Sequence, residues 1–108
     1  MCCVVAPEIG REGINTTPRV TVNATTVLNC PVSGIPSPQI SWLRDSLPID
    51  PSLHRNLHLV ADGRQLRIES AAVTDAVRYR CLATNKAGRD QLDYQLAVHS
   101  QSTALTYL

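Results

Sequence analysis

The stretch Asp75-Ala76-Val77-Arg78-Tyr79-Arg80-Cys81 decides the reading of this chain. It sets a tyrosine two residues before a cysteine and an aspartate six before it. Tyr79, Cys81 and Ala83 share one side of an alternating run, the period of two expected of a half-buried strand. Upstream stand a second cysteine, Cys30, and the only tryptophan, Trp42. Trp42 follows Cys30 by twelve residues and precedes Cys81 by thirty-nine.

Working outward, the same alternation recurs in short runs. Val20 and Val22 share one face; Thr26, Leu28, Cys30 and Val32 share another. Gly34-Ile35-Pro36-Ser37-Pro38 breaks the pattern and predicts a loop, because two close prolines cannot both sit in a paired strand. Ile40 and Trp42 then point inward from a strand over residues 39–44, and Asp45-Ser46 turns the chain. Pro48 and Pro51 hold an irregular crossing, flanked by His54 and His58. Leu57 and Leu59 face Leu66 and Ile68 across Asp62-Gly63, a strong hairpin signal because glycine tolerates positive φ. Residues 71–75 predict a connection of about one helical turn. Asn85-Lys86-Ala87-Gly88 is a further turn, and Leu92, Tyr94, Leu96 and Val98 predict a single last strand. Seven or eight short strands without a convincing helix imply an all-β sandwich. Residues 1–17 predict a linker or loose first strand, 18–98 the domain, and 99–108 a frayed tail.

Composition bounds the function. A chain of 108 residues has room for one domain. With 44% hydrophobic and 18% charged residues it is too apolar for intrinsic disorder. Ten Lys+Arg against nine Asp+Glu leave no basic field to attract nucleic acid or anionic lipid. Phe is absent, so the core must be aliphatic around one large indole. No run reaches the ~20 apolar residues of a membrane span. Residues 1–6 are too short for the apolar core of a signal peptide, so a secreted domain would be a piece of a longer chain.

The fold can be named from three motifs. Gly34-x-Pro36-x-Pro38-x-Ile40-x-Trp42, then Leu66-x-Ile68-x-x-Ala71-x-x-x-Asp75-Ala76-x-x-Tyr79-x-Cys81, then Ala83-x-Asn85-x-x-Gly88, resemble an intermediate-set (I-set) immunoglobulin domain. Asp62-Gly63-Arg64-Gln65-Leu66 and the closing Tyr94-x-Leu96-x-Val98-His99 are most similar to the tandem modules of the hemicentin family of matrix proteins. The resemblance implies an immunoglobulin-like two-sheet Greek-key sandwich. It implies a Cys30–Cys81 disulfide between the sheets with Trp42 packed on it, and a tyrosine corner in which the Tyr79 hydroxyl bonds back to upstream backbone. It also implies a surface ion pair from Asp75 to Arg55 or Arg64. Four positions depart from the family pattern. Val77 replaces a Gly or Ala and predicts backbone strain, so that Val77→Gly should raise the melting midpoint. Ala24 and Ser46 replace glycines, and Thr26 replaces an apolar residue.

Few residues suggest chemistry. Asn15-Thr16-Thr17 and Asn23-Ala24-Thr25 satisfy the N-glycosylation pattern, making Asn15 and Asn23 candidate acceptors. Cys2 and Cys3 are adjacent, and no histidine follows at metal-ligand spacing: His54, His58 and His99 are scattered. Arg44, Arg55, Arg64, Arg67, Arg78, Arg80 and Arg89 predict solvated strand faces more than a heparan-sulfate patch. No nucleophile elbow, phosphate-binding glycine loop or carboxylate pair points to catalysis, and the ligands of a calcium loop do not follow Asp62-Gly63. The expectation is a non-catalytic module without cofactor or metal, extracellular, binding neighbouring immunoglobulin modules and matrix or cell-surface proteins. The alternatives are a receptor ectodomain module and an intracellular titin-like module with reduced cysteines.

Overall fold

The computed structural model describes residues 4–50 and 52–100. Cys2, Cys3, Pro51 and the tail from residue 101 lie outside the described residues. Among the described residues eleven short strands and one 3₁₀ turn form two facing layers. The first layer holds β1 (Val5–Ile9) paired with β4 (Val32–Ile35), and the sheet β3 (Thr26–Asn29), β8 (Gln65–Ile68), β7 (Leu57–Val60). The second holds β10 (Gly88–Gln95), β9 (Arg78–Asn85), β5 (Gln39–Arg44) and β6 (Leu47–Pro48), with β11 (Ala97–His99) beside β2 (Arg19–Thr21). Alternation put Leu28, Cys30, Trp42, Leu66, Ile68, Tyr79, Cys81 and Ala83 between the layers, and all are buried. Leu59 is half exposed instead, because β7 is an outer strand with no neighbour beyond it.

Of the two readings of the first segment, linker or loose first strand, residues 5–9 take the strand, paired with β4 and with Ile9 buried in the core. Two local expectations need correction. The loop expected at residues 34–38 begins only at Pro36, because Ile35 still pairs with Val5. Gly34 belongs there: a Cβ on it would come within 3.2 Å of the Pro7 Cα. The last strand is not single. β10 runs antiparallel to β9, but β9 begins at Arg78, so beyond Gln95 that partner is exhausted. The chain changes neighbours and β11 runs parallel to β2.

Val77 is not strained. Among the described residues the positive-φ positions are Asn23, Asp45, Ser46, Ala61, Asp62 and Ser70, with Gly13, Gly63 and Gly88. Val77 lies half-buried against the core, donates its N–H to the Asp75 carbonyl at 2.8 Å and accepts from the Leu96 N–H at 3.3 Å. The expected effect of Val77→Gly therefore reverses. Lost packing and added unfolded-chain entropy should destabilise by about 1–2 kcal/mol. Calorimetry showing a raised midpoint would sink this account.

The other two glycine replacements separate cleanly. Ala24 has an ordinary φ; the left-handed residue of that turn is Asn23 (φ 72), a type that tolerates it. Asp45 (φ 53) and Ser46 (φ 72) form the two-residue loop of the β5–β6 hairpin, which demands positive φ at both positions. A serine there is strained by about 1–2 kcal/mol, partly offset by the smaller chain entropy it loses on folding. Ser46→Gly should stabilise by about 0.5–1 kcal/mol and raise the midpoint by a few degrees. An unchanged or lower midpoint in a thermal scan would count against strain at this turn.

Candidate functional site: the inter-layer pin and the faces it supports

Cys30, at the end of β3, and Cys81, on β9, are fully buried and disulfide-bonded, with Cα atoms 6.3 Å apart. Their bond ties the two layers. Trp42 stands opposite Cys81 in the β5–β9 ladder and is 3% exposed. Its ring stacks on Tyr94 at 6.3 Å between centroids, and its Nε1–H donates to the Gly63 carbonyl at 2.8 Å. Gly63 (φ 85) supplies that carbonyl because Ala61, Asp62 and Gly63 turn through consecutive positive φ angles. The Tyr94 and Gly63 contacts were not legible in sequence, since both join segments far apart along the chain.

Tyr79 is fully buried, and its hydroxyl donates to the Asp75 carbonyl at 2.9 Å, which is the tyrosine corner. Burial pushes its pKa up to about 12; the Asp75 charge adds to the rise and Arg44 opposes it. Asp75 pairs with Arg44, not with Arg55 or Arg64, at 2.8 Å between Nη1 and Oδ1. Arg44 stands opposite Tyr79 in the ladder, so its side chain runs past that ring, 5.7 Å from the centroid, to reach the carboxylate. Arg44 Nη2 also donates to the Thr74 carbonyl at 2.8 Å. The second Asp75 oxygen accepts from Asn56 Nδ2 and the Ala72 N–H, both at 2.9 Å. Asp75 is only 4% exposed, so this is a buried network rather than a surface pair. The signal was present: Ile40, Trp42 and Arg44 share one parity, which puts an arginine on the inward side of β5.

A second staple fell in the stretch expected to be loose. Asp90 Oδ1 lies 3.0 Å from Arg11 Nη2, and its Oδ2 accepts from Arg11 Nη1 at 3.1 Å and from the Ile9 N–H at 2.9 Å. Arg11 also donates to the carbonyls of Ile9 and Gln91. The guanidinium hydrogen bonds hold the Asp90 carboxyl down at about 2, against burial, with the Ile9 and Gln91 amides helping. An unfolded aspartate titrates near ~3.9. Because the folded pKa is the lower one, this contribution is present above pH ~4 and drains as pH falls toward ~2. Thermal scans should show Arg11→Gln melting below the parent at pH 5, with the gap closing by pH 2. A gap that persists at pH 2 would remove Asp90 from the explanation.

Behind this frame, the outward face of the β10-β9-β5-β6 sheet is available for contact. Leu43 and Leu82 lie half-buried at its centre; Ser41 and Gln91 flank Leu82 in the ladders. Arg80 meets Asp93 through Nε–Oδ1 at 2.7 Å and Nη2–Oδ2 at 3.2 Å, a solvated pair of small energetic weight. Three of the arginines are held by carboxylates in different places: Arg44 turns inward to Asp75, Arg80 pairs with Asp93, and Arg67 lies 3.1 Å from Glu69 on the other layer. His58 is 3.3 Å from the same Glu69. Asn15 and Asn23 are both exposed, in the β1–β2 and β2–β3 connections. Among the described residues no group of three or more His, Cys, Asp or Glu could hold a metal ion. No helix among them is long and apolar enough to cross a membrane.

The chain is similar to known proteins in sequence and in architecture. The Immunoglobulin I-set domain family matches residues 12–98. Human hemicentin-1 is 40% identical over 95 residues, 88% of this chain and 2% of hemicentin-1. The solved extracellular domains 3–5 of Drosophila OTK superpose with a TM-score of 0.77 at 27% identity, over 88% of this chain and 32% of that one. The titin M3 domain superposes with a TM-score of 0.76 at 26% identity, over 88% of this chain and 98% of that one. With the family match spanning most of its length and the disulfide, tryptophan and tyrosine corner in place, this chain belongs to the immunoglobulin I-set domain family.

Proposed function

We propose that this chain is a non-catalytic, extracellular module of a multidomain matrix or adhesion protein. The carrying observation is the Cys30–Cys81 bridge, fully buried between the layers, a bond that persists in oxidising compartments and is rare in reducing ones. The 40% identity to hemicentin-1 supports the matrix reading, and the chain corresponds to 2% of that protein's length, the share of one module in an array. Likeness to the titin M3 domain supports the competing intracellular reading, in which the two thiols would stay reduced. Counting free thiols on unfolded protein taken from its source separates them. Two thiols, from Cys2 and Cys3, are expected; four would overturn the extracellular reading.

Contact with protein partners would run through the outward face centred on Leu43 and Leu82. Both leucines are half-buried, apolar and ringed by Ser41, Gln91 and the Arg80–Asp93 pair, the pattern of an apolar centre with a polar rim. A Leu43→Arg, Leu82→Arg double variant should keep its fold by circular dichroism yet lose incorporation into matrix deposited by cultured cells. Normal incorporation would move the contact to another face.

A further inference from the structure

β1 ends at Ile9, Gly13 (φ 77) turns the chain, and residues 16–18 bond to the opposite layer. The Gln95 N–H donates to the Thr16 carbonyl at 2.8 Å, and the Ala97 N–H to the Pro18 carbonyl at 3.0 Å. The crossing leaves β3 as the outer strand of its three-stranded sheet. The Cys30 N–H donates to the Arg64 carbonyl at 2.7 Å, so even-numbered residues here turn their backbone groups toward β8. Odd-numbered residues face the open edge. At Asn29 the Tyr94 hydroxyl serves that edge, accepting from the N–H at 3.2 Å and donating to the carbonyl. Val27 faces the same way two residues earlier, and nothing among the described residues takes the same part for it.

Between this edge and the crossing chain lies a groove of about 180 Å³, lined by Gly13, Ile14, Asn15, Pro18, Val27 and Tyr94 among others. That is the space of about six water molecules, room for one sugar ring. Asn15 is the acceptor of a glycosylation triplet and borders the groove itself. Its Oδ1 accepts from the Thr17 N–H at 3.0 Å and the Thr17 hydroxyl at 3.2 Å. Both bonds use the carbonyl oxygen, so the amide nitrogen can carry a substituent without disturbing the turn.

We propose that Asn15 carries an N-linked glycan whose first N-acetylglucosamine occupies this groove and closes the open edge of β3 at Val27. The proposal rests on the extracellular reading, since the donor is a polyprenyl-diphosphate-linked oligosaccharide of the secretory pathway. In the transfer, Asn15 Nδ2 bonds to the sugar C1 and gives up one proton. The C1–O bond breaks and its electron pair leaves with the diphosphate. In place, the acetamido group offers one N–H and one carbonyl to the Val27 carbonyl and N–H, as the Tyr94 hydroxyl does for Asn29. The apolar face of the ring lies against Ile14 and Pro18. Asn23, in the exposed β2–β3 turn at φ 72, lies outside the set of groove-lining residues.

The test uses the full chain, fused to a secretion signal and expressed in mammalian cells that make only high-mannose glycans, in an Asn23→Gln background. Endoglycosidase H trims the product to one sugar; Asn15→Gln in the same background supplies the bare chain. Intact mass should show Asn15 occupied, and hydrogen exchange at the Val27 amide should slow by about tenfold or more in the one-sugar form. An unoccupied Asn15 overturns the proposal, and so does an occupied Asn15 with unchanged exchange at Val27. The host supplies the donor wherever the protein naturally resides, so either failure leaves the extracellular reading standing; the thiol count tests that reading by itself.

Discussion

Asp75→Ala is expected to destabilise the domain by about 3–5 kcal/mol, because it leaves a buried guanidinium without its counter-charge. Arg44 is 14% exposed at its side chain, too little for water to replace the lost carboxylate. The Ala72 N–H and Asn56 Nδ2 lose their acceptor in the same step. A domain of this size shifts its midpoint by about 4–8 °C per kcal/mol, so the loss should exceed about 12 °C. Arg44→Lys should cost less, about 1–2 kcal/mol: the charge remains, but one ammonium cannot reach Asp75, Tyr79 and Thr74 together with the geometry of a planar fork. Urea titrations of the parent and both variants would measure the order. If Asp75→Ala unfolded within 1 kcal/mol of the parent, the network would be ornamental to stability.

Removing the disulfide with a Cys30→Ala, Cys81→Ala pair should destabilise by about 4 kcal/mol. The bond closes a sequence separation of 51 residues, and chain-entropy arguments place that loop between about 3 and 4.7 kcal/mol. Small domains have about 5–15 kcal/mol in total, so the variant should be marginal at body temperature. Its midpoint should fall by roughly 15 °C or more. A fall of only a few degrees would mean that packing around Trp42, Leu66 and Ile68 holds the layers together unaided. The two predictions address different ends of the sandwich. Cys81 stands opposite Trp42 mid-ladder, whereas Arg44 closes β5 beside the 3₁₀ turn at Val73–Asp75.

Much of the pin was legible because its members lie on regular strands. Once Tyr79, Cys81 and Ala83 share a parity, a strand must place them on one face, and Trp42 follows the same rule on its own strand. Turns were legible for a related reason: Asp45 and Asp62-Gly63 carry residue types that accept positive φ. Partners of charged side chains were another matter. Sequence context and the family pattern point to Arg55 or Arg64, while the actual partner, Arg44, is set by which strands lie side by side. The family pattern likewise points to strain at Val77, and the backbone there does not take a positive φ.

By itself the sequence determined the strand faces and the hairpin turns, each a consequence of local periodicity or of residue chemistry along one segment; the Cys30–Cys81 pairing and the tyrosine corner were implied by the family resemblance. Only the tertiary structure decided three further things. The Asp75–Cys81 stretch is anchored by Arg44 in a buried network; Arg11 and Asp90 staple the first strand to the tenth; and the chain's crossing between layers leaves β3 with an open edge beside Asn15. Each depends on contacts 31 to 79 residues apart or on a change of neighbouring strand. Such contacts follow from how the two layers stack, and no short-range pattern along the chain records that stacking.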